Sequence, residues 1–125
     1  MASGERRSGF TLIELLVVLA ITALLLTLAA PRYFGALDRS KEVVLRDSLD
    51  TLRRTIQDFH GDKSRYPRSL EELVREGYLR RVPVDPITES AETWVELPPP
   101  TGQGMADVRS GSPGVDKQGV RYADW

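Results

Sequence analysis

One acidic residue lies inside a stretch of this chain that is otherwise apolar. Residues 10–30 read FTLIELLVVLAITALLLTLAA, and Glu14 is the single charged side chain among them. A carboxylate within lipid costs on the order of a few kcal/mol unless it is paired, and residues of this kind usually have a function. Glu14 is therefore the first candidate functional residue.

The other polar residues offer little catalytic chemistry. The 125 residues include no cysteine and one histidine, His60, which excludes disulfides, thiol nucleophiles and cysteine-bound zinc. Glu71 and Glu72 are adjacent on a predicted helix, so their carboxylates point in different directions and make a poor acid–base pair. We find no nucleophile–base pattern and no phosphate-binding loop, and we predict that the protein is not an enzyme. The balance of 17 basic and 18 acidic residues predicts no nucleic-acid partner.

The element that holds Glu14 has the length and composition of a membrane helix. A helix over residues 10–30 would be about 31 Å long, which matches the roughly 30 Å hydrocarbon core of a bilayer. It is apolar on all sides, and Arg6 and Arg7 precede it. Basic residues before a first span hold that end in the cytoplasm. We therefore expect residues 31–125 to form a domain on the far side of the membrane, outside the cytoplasm.

Three interpretations of this segment compete. An ordinary signal peptide is disfavoured because the apolar run exceeds the usual core of about 7–15 residues, and because Ala29-Ala30-Pro31 is a poor cleavage site. A plain uncleaved anchor leaves Glu14 unexplained. The third interpretation is a short leader that a dedicated peptidase removes, and it comes from a family resemblance.

Residues 6–15, RRSGFTLIEL, resemble the processing site of type IV pilins and type II secretion pseudopilins. In that family a membrane peptidase cuts after the glycine and methylates the new amino-terminal residue. By this resemblance the cut would follow Gly9, and the methylated residue would be Phe10. Residues 1–9 would then be the cleaved leader, and residues 10–30 the transmembrane and polymerisation half of the first helix. Glu14 and Pro31 match a glutamate and a proline of the family. We hypothesise that Glu14 pairs with the Phe10 amine of a neighbouring subunit and so sets the register of assembly.

The helix is predicted to continue beyond the membrane as an amphipathic half over residues 34–60. Its apolar residues recur every three or four positions, namely Leu45, Leu49, Leu52, Ile56 and Phe59. Pro31 should bend the helix, because it removes one main-chain hydrogen bond. His60-Gly61-Asp62 is predicted to end the helix, with Gly61 in the left-handed conformation.

The remainder of the chain is typical of a small α+β domain. Ser69 begins a short helix, and three strands are predicted at residues 93–97, 105–110 and 120–123. An antiparallel sheet packed on the amphipathic half-helix would give a pilin-like fold. Residues 66–86 also resemble the major pseudopilin of type II secretion, in the segments YP, SLEEL, GYL and PVDP.

The tail departs from that resemblance. Major pseudopilins typically carry an acidic loop that binds calcium, an ion that takes six to eight oxygen ligands. The calcium candidates here are Asp107, Asp116 and Asp124, which are widely separated and accompanied by basic residues. We expect no metal and no cofactor, and we expect the closing aromatic residues, Tyr122 and Trp125, to hold the tail on the core instead.

The resemblance implies a structural subunit, stored in the bacterial inner membrane and polymerised into a short periplasmic pseudopilus that drives protein export. Its implied partners are further copies of the chain, a prepilin peptidase, an inner-membrane assembly platform, minor pseudopilins and membrane lipid. One alternative is a subunit of a type IV pilus for adhesion, motility or DNA uptake, and the lack of cysteines weakly disfavours it. An alternative of another class is a secreted enzyme or binding module with an ordinary signal peptide.

Overall fold

The structure is a computed structural model that describes residues 9–125. Its elements are helix α1 (Leu12–Lys63), helix α2 (Leu70–Arg75), strands β1 (Val95–Leu97) and β2 (Asp107–Arg109), and a 3₁₀ turn (Tyr122–Asp124). The chain divides into two compact units after Leu37. The combination of a long first helix and a small antiparallel sheet confirms the predicted α+β class.

The first unit is helical, and its apolar side chains are exposed to the surroundings. It holds the one helix among residues 9–125 that is long and apolar enough to cross a membrane, and none of its apolar window is buried. The hydroxyl groups of Thr22 and Thr27 donate to the carbonyl oxygens four residues earlier, both at 2.8 Å. These bonds satisfy polar groups that lipid would leave without partners. Pro31 lies inside α1, and the helix continues through it.

The core of the second unit forms on the predicted apolar stripe of α1. Leu45, Leu49, Leu52, Ile56 and Phe59 are at most 2% exposed, which confirms the periodicity. They pack in one cluster with residues from the rest of the unit, namely Leu70, Leu73, Trp94, Met105, Val108 and Tyr122. Burying a large apolar side chain contributes about 1.5–3 kcal/mol, so this stripe is the main attachment of the domain to its helix.

Helix α2 begins where the sequence predicts. Ser69 is extended, and its hydroxyl oxygen accepts a hydrogen bond from the Glu72 main-chain N–H at 3.3 Å. The Glu72 carboxylate does not return to Ser69, as a reciprocal capping box would require, but accepts from the Arg68 N–H at 2.8 Å. Gly77 follows the helix with a φ of +82°, a conformation that costs a glycine little.

The sheet contains two strands in residues 9–125 rather than the three that we predicted. β1 and β2 pair antiparallel, with Val95 opposite Arg109 and Leu97 opposite Asp107. The third prediction, residues 120–123, is wrong. The chain makes a single bridge from Val115 to Arg121 and then turns into the 3₁₀ segment. The Tyr122 ring, at the start of that turn, lies in the core.

The predicted end of α1 is also wrong. The helix passes through Gly61 to Lys63, and the left-handed residue is Ser64, with a φ of 55°. Its N–H donates to the His60 carbonyl oxygen at 2.9 Å. The His60 ring lies 4.2 Å from the Tyr66 ring. The left-handed residue that ends the helix is thus a serine three positions after the predicted glycine.

Candidate assembly site and the closure of the tail

The first turn of α1 carries a reciprocal cap that involves Glu14. The Glu14 main-chain N–H donates to the Thr11 hydroxyl oxygen at 3.2 Å, and the Thr11 N–H donates to a Glu14 carboxylate oxygen at 3.4 Å. Threonine followed three residues later by glutamate is the capping-box pattern, and it is visible in the sequence. The spacing of Thr11 and Glu14 is thus the sequence signal from which this cap could have been predicted.

This geometry leaves the Glu14 carboxylate available to a cation from another molecule. Its contact within residues 9–125 is the long bond to Thr11, and the side chains around it are exposed. Phe10, the predicted new amino terminus, is 81% exposed. The positive end of the helix dipole also stabilises a carboxylate at this position. The site can therefore accept a pairing amine without first breaking a strong bond.

The predicted cleavage point lies at the edge of the described chain. Gly9 is exposed, and a Cβ atom added there would meet no atom within 4 Å. The leader prediction otherwise concerns residues 1–8, which lie outside the described residues. The predicted roles of Gly9 and Phe10 thus stay predictions, as does a bend at Pro31.

The three calcium candidates are each bound to different protein donors. Asp107 accepts from the Arg53 Nε at 2.9 Å, and Asp124 accepts from both nitrogens of the Arg121 fork at 3.0 Å. Asp116 accepts from two loop N–H groups at 2.9 Å and from the Trp125 indole at 3.2 Å. In residues 9–125, no three acidic or histidine side chains form a group suited to a metal ion.

Tyr122 attaches the tail to α1. Its ring is 9% exposed, and its hydroxyl donates to a Glu42 carboxylate oxygen at 2.9 Å. Burial raises the pKa of Tyr122 to about 12, and the bond to Glu42 adds to the rise. The phenol therefore stays protonated and keeps donating at any physiological pH.

Two further residues organise the domain and were not identified from sequence. Asp85 is fully buried and accepts from the Ser110 hydroxyl at 2.6 Å and from the Ile87 N–H at 2.8 Å. Arg53 joins α1 to β2 and to the tail by bonds that span 54 to 72 residues. Partners so distant leave no local pattern in the sequence.

Comparison with known proteins places this architecture in a family. The model of the prokaryotic N-terminal methylation motif matches residues 5–30. The type II secretion system core protein G of Pseudomonas aeruginosa is 31% identical over 98 residues, covering 66% of this chain and 69% of the relative. That of Dickeya chrysanthemi is 31% identical over 125 residues, covering 87% of this chain and 79% of the relative. That of Klebsiella pneumoniae is 28% identical, and the match covers 97% of this chain and 96% of the relative.

No solved structure was found to match the chain. The motif matched at residues 5–30 agrees with the first resemblance noted in the sequence, and the names of the relatives agree with the second. The extent and identity of these matches show that the chain belongs to the core protein G family of type II secretion systems, the major pseudopilins.

Proposed function

We propose that this pseudopilin is anchored in the inner membrane by residues 10–30 and polymerises through them into a short periplasmic filament. The prepilin peptidase removes residues 1–9 and methylates Phe10. The assembly platform then adds subunits one by one, and the growing filament drives protein export. Minor pseudopilins are the further partners in this proposal.

The observation that carries the proposal is the exposed apolar surface of α1, which contains one carboxylate beside its amino-terminal end. This surface suits lipid before assembly and neighbouring helices afterwards. Cleavage after Gly9 creates an amine on Phe10, four residues from Glu14. An amine of the neighbouring subunit that pairs with Glu14 fixes the axial register, because a slipped subunit leaves a charge unpaired in an apolar bundle.

The cap on Thr11 permits a test that separates charge from helix structure. Glu14→Gln removes the charge, but glutamine still serves in a capping box. Thr11→Ala is the matched control, because it removes the hydroxyl cap and leaves the charge. Each variant is expressed in a bacterium whose own core protein G is deleted, and processing, subunit crosslinking and export of the secreted proteins are measured.

We expect Glu14→Gln to be processed but to lose crosslinked multimers and export by at least about tenfold, which corresponds to about 1.4 kcal/mol of lost pairing. Thr11→Ala should be processed, assemble and export close to normally. Normal assembly of Glu14→Gln would refute the pairing, and equal loss in the two variants would assign Glu14 to helix capping alone.

A further inference from the structure

The guanidinium group of Arg53 lies where three segments of the domain converge. Its Nε donates to Asp107 at 2.9 Å, and one of its terminal nitrogens donates to the main-chain oxygens of Val108 at 3.1 Å and Trp125 at 2.8 Å. A cation held by one carboxylate and two main-chain oxygens has the kind of ligands that calcium takes in proteins. Here the cation is a side chain of the helix itself.

We propose that Arg53 replaces a metal ion in this chain, so that the tail is closed by a guanidinium and its aromatic neighbours and does not bind calcium. The planar guanidinium carries five donors in a fixed arrangement, which lets one residue bind several oxygens at once. The inference goes beyond the proposed function, because it concerns the stability of the domain and not its assembly.

The aromatic contacts around Arg53 complete the closure. The Trp125 ring packs at 5.1 Å from the Tyr122 ring in an edge-to-face arrangement. The Arg46 guanidinium of α1 lies over the Trp125 ring, 4.7 Å from its centre. Trp125 also donates its indole N–H to Asp116. One aromatic residue thus joins the helix, the tail loop and the 3₁₀ turn.

The same contacts disfavour a calcium ion. The three candidate carboxylates could bind a calcium ion only if each gave up a hydrogen bond that it makes within the domain. The bonds that would be lost join Asp107 to Arg53, Asp116 to Trp125 and Asp124 to Arg121. Arg53 and Arg121 would then lie close to a divalent cation and repel it. The donor set of this tail therefore fits its own arginines and does not fit calcium.

The test uses the full-length chain in detergent micelles and measures thermal unfolding by circular dichroism. The midpoint of the wild type is compared in 1 mM EGTA and in roughly 1 mM CaCl₂, a concentration at which extracellular calcium modules are occupied. Arg53→Gln and Arg53→Lys are compared with Arg54→Gln, an exposed arginine on the neighbouring position of the same helix. Isothermal titration with CaCl₂ measures binding directly.

We expect the wild-type midpoint to be the same in EGTA and in calcium, and no heat of binding. The midpoint of Arg53→Gln should lie roughly 5–15 °C below that of the wild type, and the midpoint of Arg54→Gln should equal it. Arg53→Lys should recover only part of the loss, because an ammonium lacks the planar fork. A calcium-dependent rise of the wild-type midpoint, or equal midpoints for Arg53→Gln and Arg54→Gln, would overturn the proposal. The calcium comparison on the wild type decides the case even if Arg53→Gln does not fold.

Discussion

Glu72 gives the domain a defined sensitivity to acid. Its side chain is almost fully buried, and both carboxylate oxygens accept from the Arg65 guanidinium, at 2.9 and 3.2 Å. The Arg65 bond, and then the N–H of Arg68, lower the pKa of Glu72 from 4.5 to about 2. Because the folded-state pKa lies below the unfolded one, the stabilisation is complete above pH 4.5 and disappears as the pH falls toward 2.

The size of this stabilisation follows from the pKa difference. A shift of this extent corresponds to about 3 kcal/mol of unfolding free energy if the pair is fully shielded. The Arg65 side chain is 47% exposed, so solvent screens the pair, and we expect about 1–2 kcal/mol. In a domain of this size that corresponds to a midpoint change of roughly 5–15 °C.

The assay is the thermal midpoint of Glu72→Gln and of the wild type, measured from pH 7 to pH 2.5. Glu71→Gln is the matched control, because Glu71 is exposed on the adjacent position of the same helix. At pH 7 the Glu72→Gln midpoint should lie below that of the wild type, and the two should converge below pH 4.5. Parallel pH profiles for Glu72→Gln and the wild type would show that Glu72 is not the acid-sensitive group.

Three further substitutions, all at glycines, test the processing site and the packing of the domain. A Cβ atom added at Gly9 would meet no atom within 4 Å, so we expect Gly9→Leu to fold normally and to accumulate as unprocessed precursor on an immunoblot. Glycine has no side chain to keep the backbone away from the peptidase, and normal cleavage of Gly9→Leu would contradict this steric requirement. Gly111→Ala would place a Cβ atom 2.0 Å from the Thr93 carbonyl oxygen, and we expect it to lose about 2 kcal/mol or more of unfolding free energy in denaturant titration. Gly61 lies inside α1 with open space around it, so Gly61→Ala should instead raise the unfolding free energy by about 0.5–1 kcal/mol. Equal effects of the two alanine substitutions on the unfolding free energy would refute the packing around Gly111.

The sequence predicted the parts of the fold that depend on local periodicity. The five-residue stripe from Leu45 to Phe59 became the core face of α1, and Ser69 became the cap of α2. Both features follow from spacing within one element, so a single sequence contains the information. The family resemblance at residues 6–15 was specific for the same reason, since the motif is continuous.

The errors occurred where distant segments decide the outcome. The helix end was assigned to Gly61, but the helix continues to Lys63, the left-handed residue is Ser64, and the His60 ring packs near Tyr66 beyond the turn. The tail contacts of α1 were likewise not predicted: Glu42 accepts from Tyr122, and Arg46 packs on Trp125. Local propensity cannot anticipate partners that tertiary packing brings close from about 80 residues away.

The role of Arg53 was the largest omission, because polar positions on an amphipathic helix normally face solvent. Arg53 and Arg54 are both polar positions of the amphipathic pattern, but Arg53 binds the tail and Arg54 is exposed. The residues that we propose for assembly can therefore be identified from the motif, whereas the residues that close the domain are identified only in the structure.

We propose that the chain is a processed pseudopilin that assembles through its first helix. The most direct test is the intact mass and amino-terminal sequence of the mature protein, purified from the inner membrane of a bacterium with a type II secretion system. We expect a chain that begins at Phe10 and carries one amino-terminal methyl group. An unmodified chain that begins at Met1, or one that begins near Pro31, would contradict it.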